Sequence, residues 1–147
     1  MLLIGTKNIG TQTVLADGII NIGSTYRKYC KKNQCGVATF SATANGISLQ
    51  QSGIYHITTT LVGSGDVAGD ITVQLAQNGV LVDGAFSTQT ITTADTELRT
   101  LVIDYYVLVD KDCVLGREST IAQTISLVNT GVDATFTSVI VNVDKVA

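Results

Sequence analysis

Proline is absent from this 147-residue sequence, glutamate occurs only at Glu97 and Glu118, and His56 is the one histidine. Each shortage removes a class of structure or chemistry. Without proline there is no proline-marked linker at which to divide the chain, and its length fits one domain, which buries roughly 70% of the surface that the unfolded chain exposes. Threonine, valine and isoleucine make up about a third of the residues, so strand formers are abundant and helix formers scarce; the chain is predicted to be all-β. Charged residues are 14% of the total and the net charge is −3. Binding to a phosphate backbone needs clustered lysine and arginine, so no nucleic-acid partner is expected. Mean hydropathy is +0.33, yet no uninterrupted apolar run approaches the roughly 20 residues that cross a bilayer. No membrane insertion is expected, and the surplus apolar surface of so apolar a soluble chain is expected at a subunit interface.

Signals for export and metal are equally thin. The opening "MLLIGTKNIG" has too short an apolar run for a secretory signal and no small-residue cleavage site. Cys30 and Cys35 enclose "KKNQ". A turn there would bring them together, whereas an extended connection holds them roughly 16 Å apart, beyond disulfide reach. Cys113 has no evident partner, and one C-x4-C with a distant cysteine and a single histidine is a poor zinc pattern. Reduced, packed cysteines are the expectation. The basic run "YRKYCKK", Tyr26 to Lys32, reads as a solvated loop or an edge strand blunted by charge.

What the chain does have is turn signals at short intervals: Asp17-Gly18, Asn45-Gly46, "GSGDVAGD" at 63–70, Asn78-Gly79, Asp83-Gly84 and "NTG" at 129–131. Strands so punctuated suggest a sandwich or barrel. Segments 71–77 and 80–82 flank Asn78-Gly79, a dipeptide that tolerates the positive φ values of a two-residue hairpin. Further strands are expected at 36–42, 46–50, 54–62, 86–91, 98–109, 120–128 and 134–146. In the last, Phe136 is out of phase with Val139, Val141 and Val143, which predicts a bulge between them or a change of face.

Strand 98–109 carries the functional reading. A strand with one face in the core and one in water alternates apolar and polar residues. Here Leu101, Ile103, Tyr105, Val107 and Val109 line one face, but Val102, Tyr106 and Leu108 lie on the other. The second face needs a cover, and a sister subunit is the economical choice over a loop of the same chain.

No constellation for catalysis accompanies these strands. His56 lies on a strand beside threonines that can hydrogen-bond it, facing outward, and neither G-x-S-x-G nor a cysteine-protease signature is present. No catalytic residue is assigned. Asp66, Asp70 and the carboxylates of "DKDC" at 110–113 match no twelve-residue calcium loop and read as loop-solvating groups, and "GSGDVAGD" lacks the G-K-[ST] of a phosphate loop. Neither metal nor cofactor is expected.

Four segments, "FSAT" at 40–43, "ISLQQSGIYHIT" at 47–58, "GDITVQLAQNGVLVDGA" at 69–85 and "ISLVNTGVDATFTSVIVNVDKV" at 125–146, give the chain from about Gly36 to Val146 a resemblance to C1q/TNF-like jelly-roll domains, particularly small bacterial and phage versions. The resemblance implies a jelly roll of about ten strands assembling as a homotrimer, with Tyr55, a core or axis-proximal anchor, and Val102, Tyr106, Leu108, Val139 and Val141 at the trimer interface. It divides the chain into residues 1–30, an extension that attaches to a capsid or other virion protein, and residues 31–147, the jelly roll. It further implies a non-enzymatic virion protein made in the host cytoplasm: a capsid decoration, head fibre or tail fibre module that recognises a host-surface glycan or protein. The alternative is a bacterial cell- or spore-surface C1q-like trimeric adhesion module, which normally follows a collagen-like stalk or export signal.

Overall fold

The computed structural model of the chain describes residues 2–30, 40–114, 117–120 and 122–147, with side chains outside 111–120. Among them are thirteen strands and no helix: β1 (Leu2–Asn8), β2 (Gln12–Val14), β3 (Ser24–Tyr29), β4 (Phe40–Thr43), β5 (Gly46–Leu49), β6 (Gly53–Gly65), β7 (Gly69–Gln77), β8 (Val80–Ile91), β9 (Arg99–Val109), β10 (Lys111–Val114), β11 (Arg117–Thr120), β12 (Gln123–Asn129) and β13 (Ala134–Lys145). Two antiparallel sheets hold eleven of these. One runs β3-β1-β13-β6-β9 with β2 also paired to β13; the other runs β4-β5-β12-β7-β8; β10 and β11 pair only with each other.

Period-two alternation explains the core. Tyr55, Ile57 and Leu61 of β6, Leu101, Ile103 and Val107 of β9, and Val139, Val141 and Val143 of β13 turn inward from the first sheet. Ile71, Val73 and Leu75 of β7 with Ile125 and Leu127 of β12 meet them from the second. Each such side chain contributes roughly 1.5–3 kcal/mol on burial, before the entropy of ordering it.

Two local expectations hold. Asn78 and Gly79 both adopt positive φ, 52° and 79°, as a tight hairpin between β7 and β8 requires. β8 then spans the two segments expected separately at 80–82 and 86–91, with a bulge around Gly84 (φ 80°) where its register with β7 shifts between Gln74 and Ala76. In β13, Phe136 and Val139 both point into the core, and the pairing with β6 shifts register between Phe136 and Ser138. Thr137 is the extra residue of a bulge. Of the strand expected at 36–42, residues 36–39 lie outside the described residues, and β4 begins at Phe40.

Residues 1–30 are not a separable extension, which corrects the expected boundary. β1 pairs with β13 from Leu2↔Lys145 to Asn8↔Val139, and β2 continues along the same edge of β13 at Ala134 to Phe136. Leu2, Ile4, Ile20 and Ile22 are core residues. The segment between β2 and β3 reaches the second sheet, where Ile20 N–H donates to the Leu127 carbonyl (2.9 Å) and Ile22 N–H to that of Ala44 (2.9 Å). The physical reason is that β13 is a core strand whose backbone amides and carbonyls need hydrogen-bond partners on both edges, and β1 and β2 supply the edge opposite β6. The basic run does form an edge strand: all of β3 is exposed.

Cys30 is disulfide-bonded, which overturns the expectation of reduced cysteines. Cys35 and the side chain of Cys113 lie outside the described residues.

Candidate functional site

The outward face of the first sheet is where the alternation of β9 leaves apolar side chains without cover. Val102, Tyr106 and Leu108 are 52%, 59% and 61% exposed, and Ile54, opposite Leu108 on β6, is 40% exposed. No described segment lies over them, so the loop of the same chain that would have been the other cover is not found among the described residues. Tyr55, Val139 and Val141 require correction: all three point into the subunit's own core and are at most 3% exposed. The pleat decides this, because neighbours of an outward residue in a strand point inward. Tyr55 instead donates from its hydroxyl to the Gln51 carbonyl (2.7 Å) and meets Phe40 edge to face at 5.8 Å, and burial pushes its phenol pKa up.

His56 shares the open face. Register places Asp144 of β13 and Tyr106 of β9 on either side of it, with Asp104 one row further along β9. Its Nε2 lies 2.5 Å from Asp104 Oδ1, its Nδ1 3.6 Å from Asp144 Oδ1, and its ring stacks on Tyr106 at 4.6 Å and 15°. The partners are therefore carboxylates, where threonines were expected. Among its described contacts is no hydroxyl or thiol nucleophile that the imidazole could activate. The arrangement orients a histidine; it does not assemble a triad.

The other edge of the same face carries opposite charge. Tyr26 of β3 lies across Gly5 of β1, where a Cβ would come within 2.8 Å of the ring and 2.6 Å of Asn142 Oδ1. Any larger residue there would push the Tyr26 ring and the Asn142 carboxamide aside. The Tyr26 hydroxyl donates to Asn142 Oδ1 (2.8 Å), with Lys7 Nζ 5.4 Å and the Arg27 guanidinium 5.7 Å from the ring centroid, so two cations lie within cation–π range of the phenol. Sequence reasoning missed this cluster and the carboxylates around His56. The only local signal was the interleaving of tyrosine and cation at 26–29.

The remaining aspartates serve the frame. Asp66 accepts from the Thr135 hydroxyl (2.7 Å) and Asp70 from that of Thr90 (2.8 Å). Among the described residues no group of three or more His, Cys, Asp or Glu side chains is placed to hold a metal ion. Glu97 accepts from the Thr92 hydroxyl (2.5 Å), from the Thr92 and Thr93 amides and from Arg99, and these bonds, led by those to Thr92, hold its carboxyl below the ordinary glutamate value.

No family model and no curated protein matches the sequence. Solved structures do. The globular domain of zebrafish complement 1qA protein superposes with a TM-score of 0.64 at 6% identity, covering 100% of this chain and 98% of that one. The Eiger TNF of S. frugiperda also gives 0.64, at 10% identity and 100% and 94% coverage. The fold is the C1q/TNF-like jelly roll. A third chain with this jelly roll, the PRD1 vertex protein P5, matches at TM-score 0.53 and 17% identity, over 99% of this chain and 97% of that one. The likeness spans residues 1–30 as well, in keeping with the strands they contribute to the jelly roll. At such identities it concerns fold, and side-chain chemistry must be read from this chain alone.

Proposed function

We propose that this chain is a non-enzymatic structural and interaction module that works as a homotrimer, each copy covering the open face of the next. One observation carries the reading: Val102, Tyr106 and Leu108 stand exposed on a sheet whose other face is a complete core. Burying them removes an apolar patch that an isolated subunit leaves in water. The C1q/TNF-like fold supports a trimeric assembly, and the PRD1 vertex protein P5 supports a place on a virion, as a capsid decoration or fibre module. Attachment through residues 1–30 is not retained, since those residues are strands of the sandwich.

Sedimentation equilibrium of the purified chain tests the assembly, with three times the chain mass expected. Tyr106→Asp is expected to release monomers, because a charge buried without a partner costs several kcal/mol. The residue is exposed in the subunit, so the variant should keep the cooperative melt of a folded sandwich. A wild-type monomer, or a Tyr106→Asp variant of full trimer mass, overturns the interface. For the virion role, antibody labelling of purified particles is expected to decorate their surface, and unlabelled particles overturn it.

A further inference from the structure

We infer that the open face is charge-keyed: the Asp104 edge of one copy docks against the Lys7–Arg27 edge of the next. This rests on the assembly proposed above and adds which parts of the face meet. The sheet runs β3-β1-β13-β6-β9, so at roughly 4.8 Å per strand the β3 and β9 edges lie about 19 Å apart on one face. On the β9 side, Asp104 of β9 and Asp144 of the central β13 share the His56 imidazole of β6. Two carboxylates and one histidine carry a surplus negative charge whether the ring is protonated or not. On the β3 side, Arg27 of β3 and Lys7 of the neighbouring β1 contact the Tyr26 ring and have no carboxylate in ion-pair range among the described residues.

Desolvation turns this separation into a constraint. Whatever covers Tyr106 and Leu108 also takes the surplus negative charge of the Asp104–His56–Asp144 group out of water, and uncompensated buried charge is costly, so a cover that brings a cation is favoured. Over the Tyr26 platform, a cover that brings an anion is likewise favoured. A second copy supplies both, provided that opposite edges meet. Pairing like edges sets carboxylate against carboxylate and cation against cation. A head-to-tail contact satisfies the same pair at every interface, and with the threefold rotation of the proposed trimer it closes in a ring.

The test is a charge-reversal cycle read as the dissociation constant of the assembly by sedimentation. Asp104→Lys alone, and Lys7→Glu with Arg27→Glu, are each expected to weaken association by about tenfold or more, and all three changes together to restore most of it. Wild-type affinity is expected to fall with added salt, and Asp104→Asn, a milder change that preserves the fold, is expected to flatten that dependence. Reversal variants as tightly assembled as wild type, or a triple variant weaker than either parent, overturn the keyed contact while the trimer stands. A monomeric wild type overturns the trimer itself, and the keyed contact with it.

Discussion

Thr6 and Thr59 are fully buried, and neither side-chain hydroxyl has a hydrogen-bond partner among the described residues. They sit on either side of Val141, which pairs with Thr6 on β1 and Thr59 on β6. A desolvated hydroxyl without a partner is a net cost, and valine has nearly the same shape without the polar atom. Thr59→Val is therefore expected to stabilise the subunit by about 1 kcal/mol, and its thermal midpoint to rise by about 2–4 °C. A lower midpoint would mean that the hydroxyl is satisfied in solution. Glu97 makes the opposite case, a polar group whose bonds hold a loop. Its folded pKa lies below the unfolded one, so the order it imposes on residues 92–97 is complete above the unfolded value and lost as pH falls through the folded value. The amide resonances of Thr92 and Thr93 are expected to titrate with a midpoint below that of an ordinary glutamate, and Glu97→Gln to abolish the titration.

At the scale of the element, β13 shows what a one-residue insertion does. Thr137 lets Phe136 and Val139 face the same core, and without it one side of the bulge would turn its side chains to the other face. Deleting Thr137 is expected to remove cooperative unfolding and near-ultraviolet circular dichroism, both easily measured; a native-like melt would show that the strand slips at little cost. The bulge was legible in the sequence because the phase break lies within four residues, as were the Asn78-Gly79 hairpin and the two apolar faces of β9. The structure departs from sequence reasoning where the decisive contact is remote. Leu2 meets Lys145, so nothing local marked residues 1–30 as strands of the sandwich. His56 gained its carboxylate partners from β9 and β13, whose register no single strand reveals. Tyr55, Val139 and Val141 were placed at the interface by resemblance, although their phase within β6 and β13 assigns them to the core.

For the whole molecule, the composition now has a physical account. A chain with 14% charged residues and positive mean hydropathy fills one core and still leaves an apolar face of β9 in water. If three copies cover that face for one another, unfolding also separates them, and mass action ties stability to concentration. Separating a trimer into three chains gains two factors of concentration, so each tenfold increase stabilises the assembly by about 2.7 kcal/mol, or about 0.9 per chain. For a chain of this size that corresponds to a rise in the thermal midpoint of about 2–4 °C per tenfold. Scanning calorimetry over a hundredfold range of concentration resolves such a rise, and Tyr106→Asp should remove it while leaving a cooperative transition. A wild-type midpoint that stays fixed across that range would mean that each chain unfolds alone, and that Val102, Tyr106 and Leu108 await a partner other than a copy of themselves.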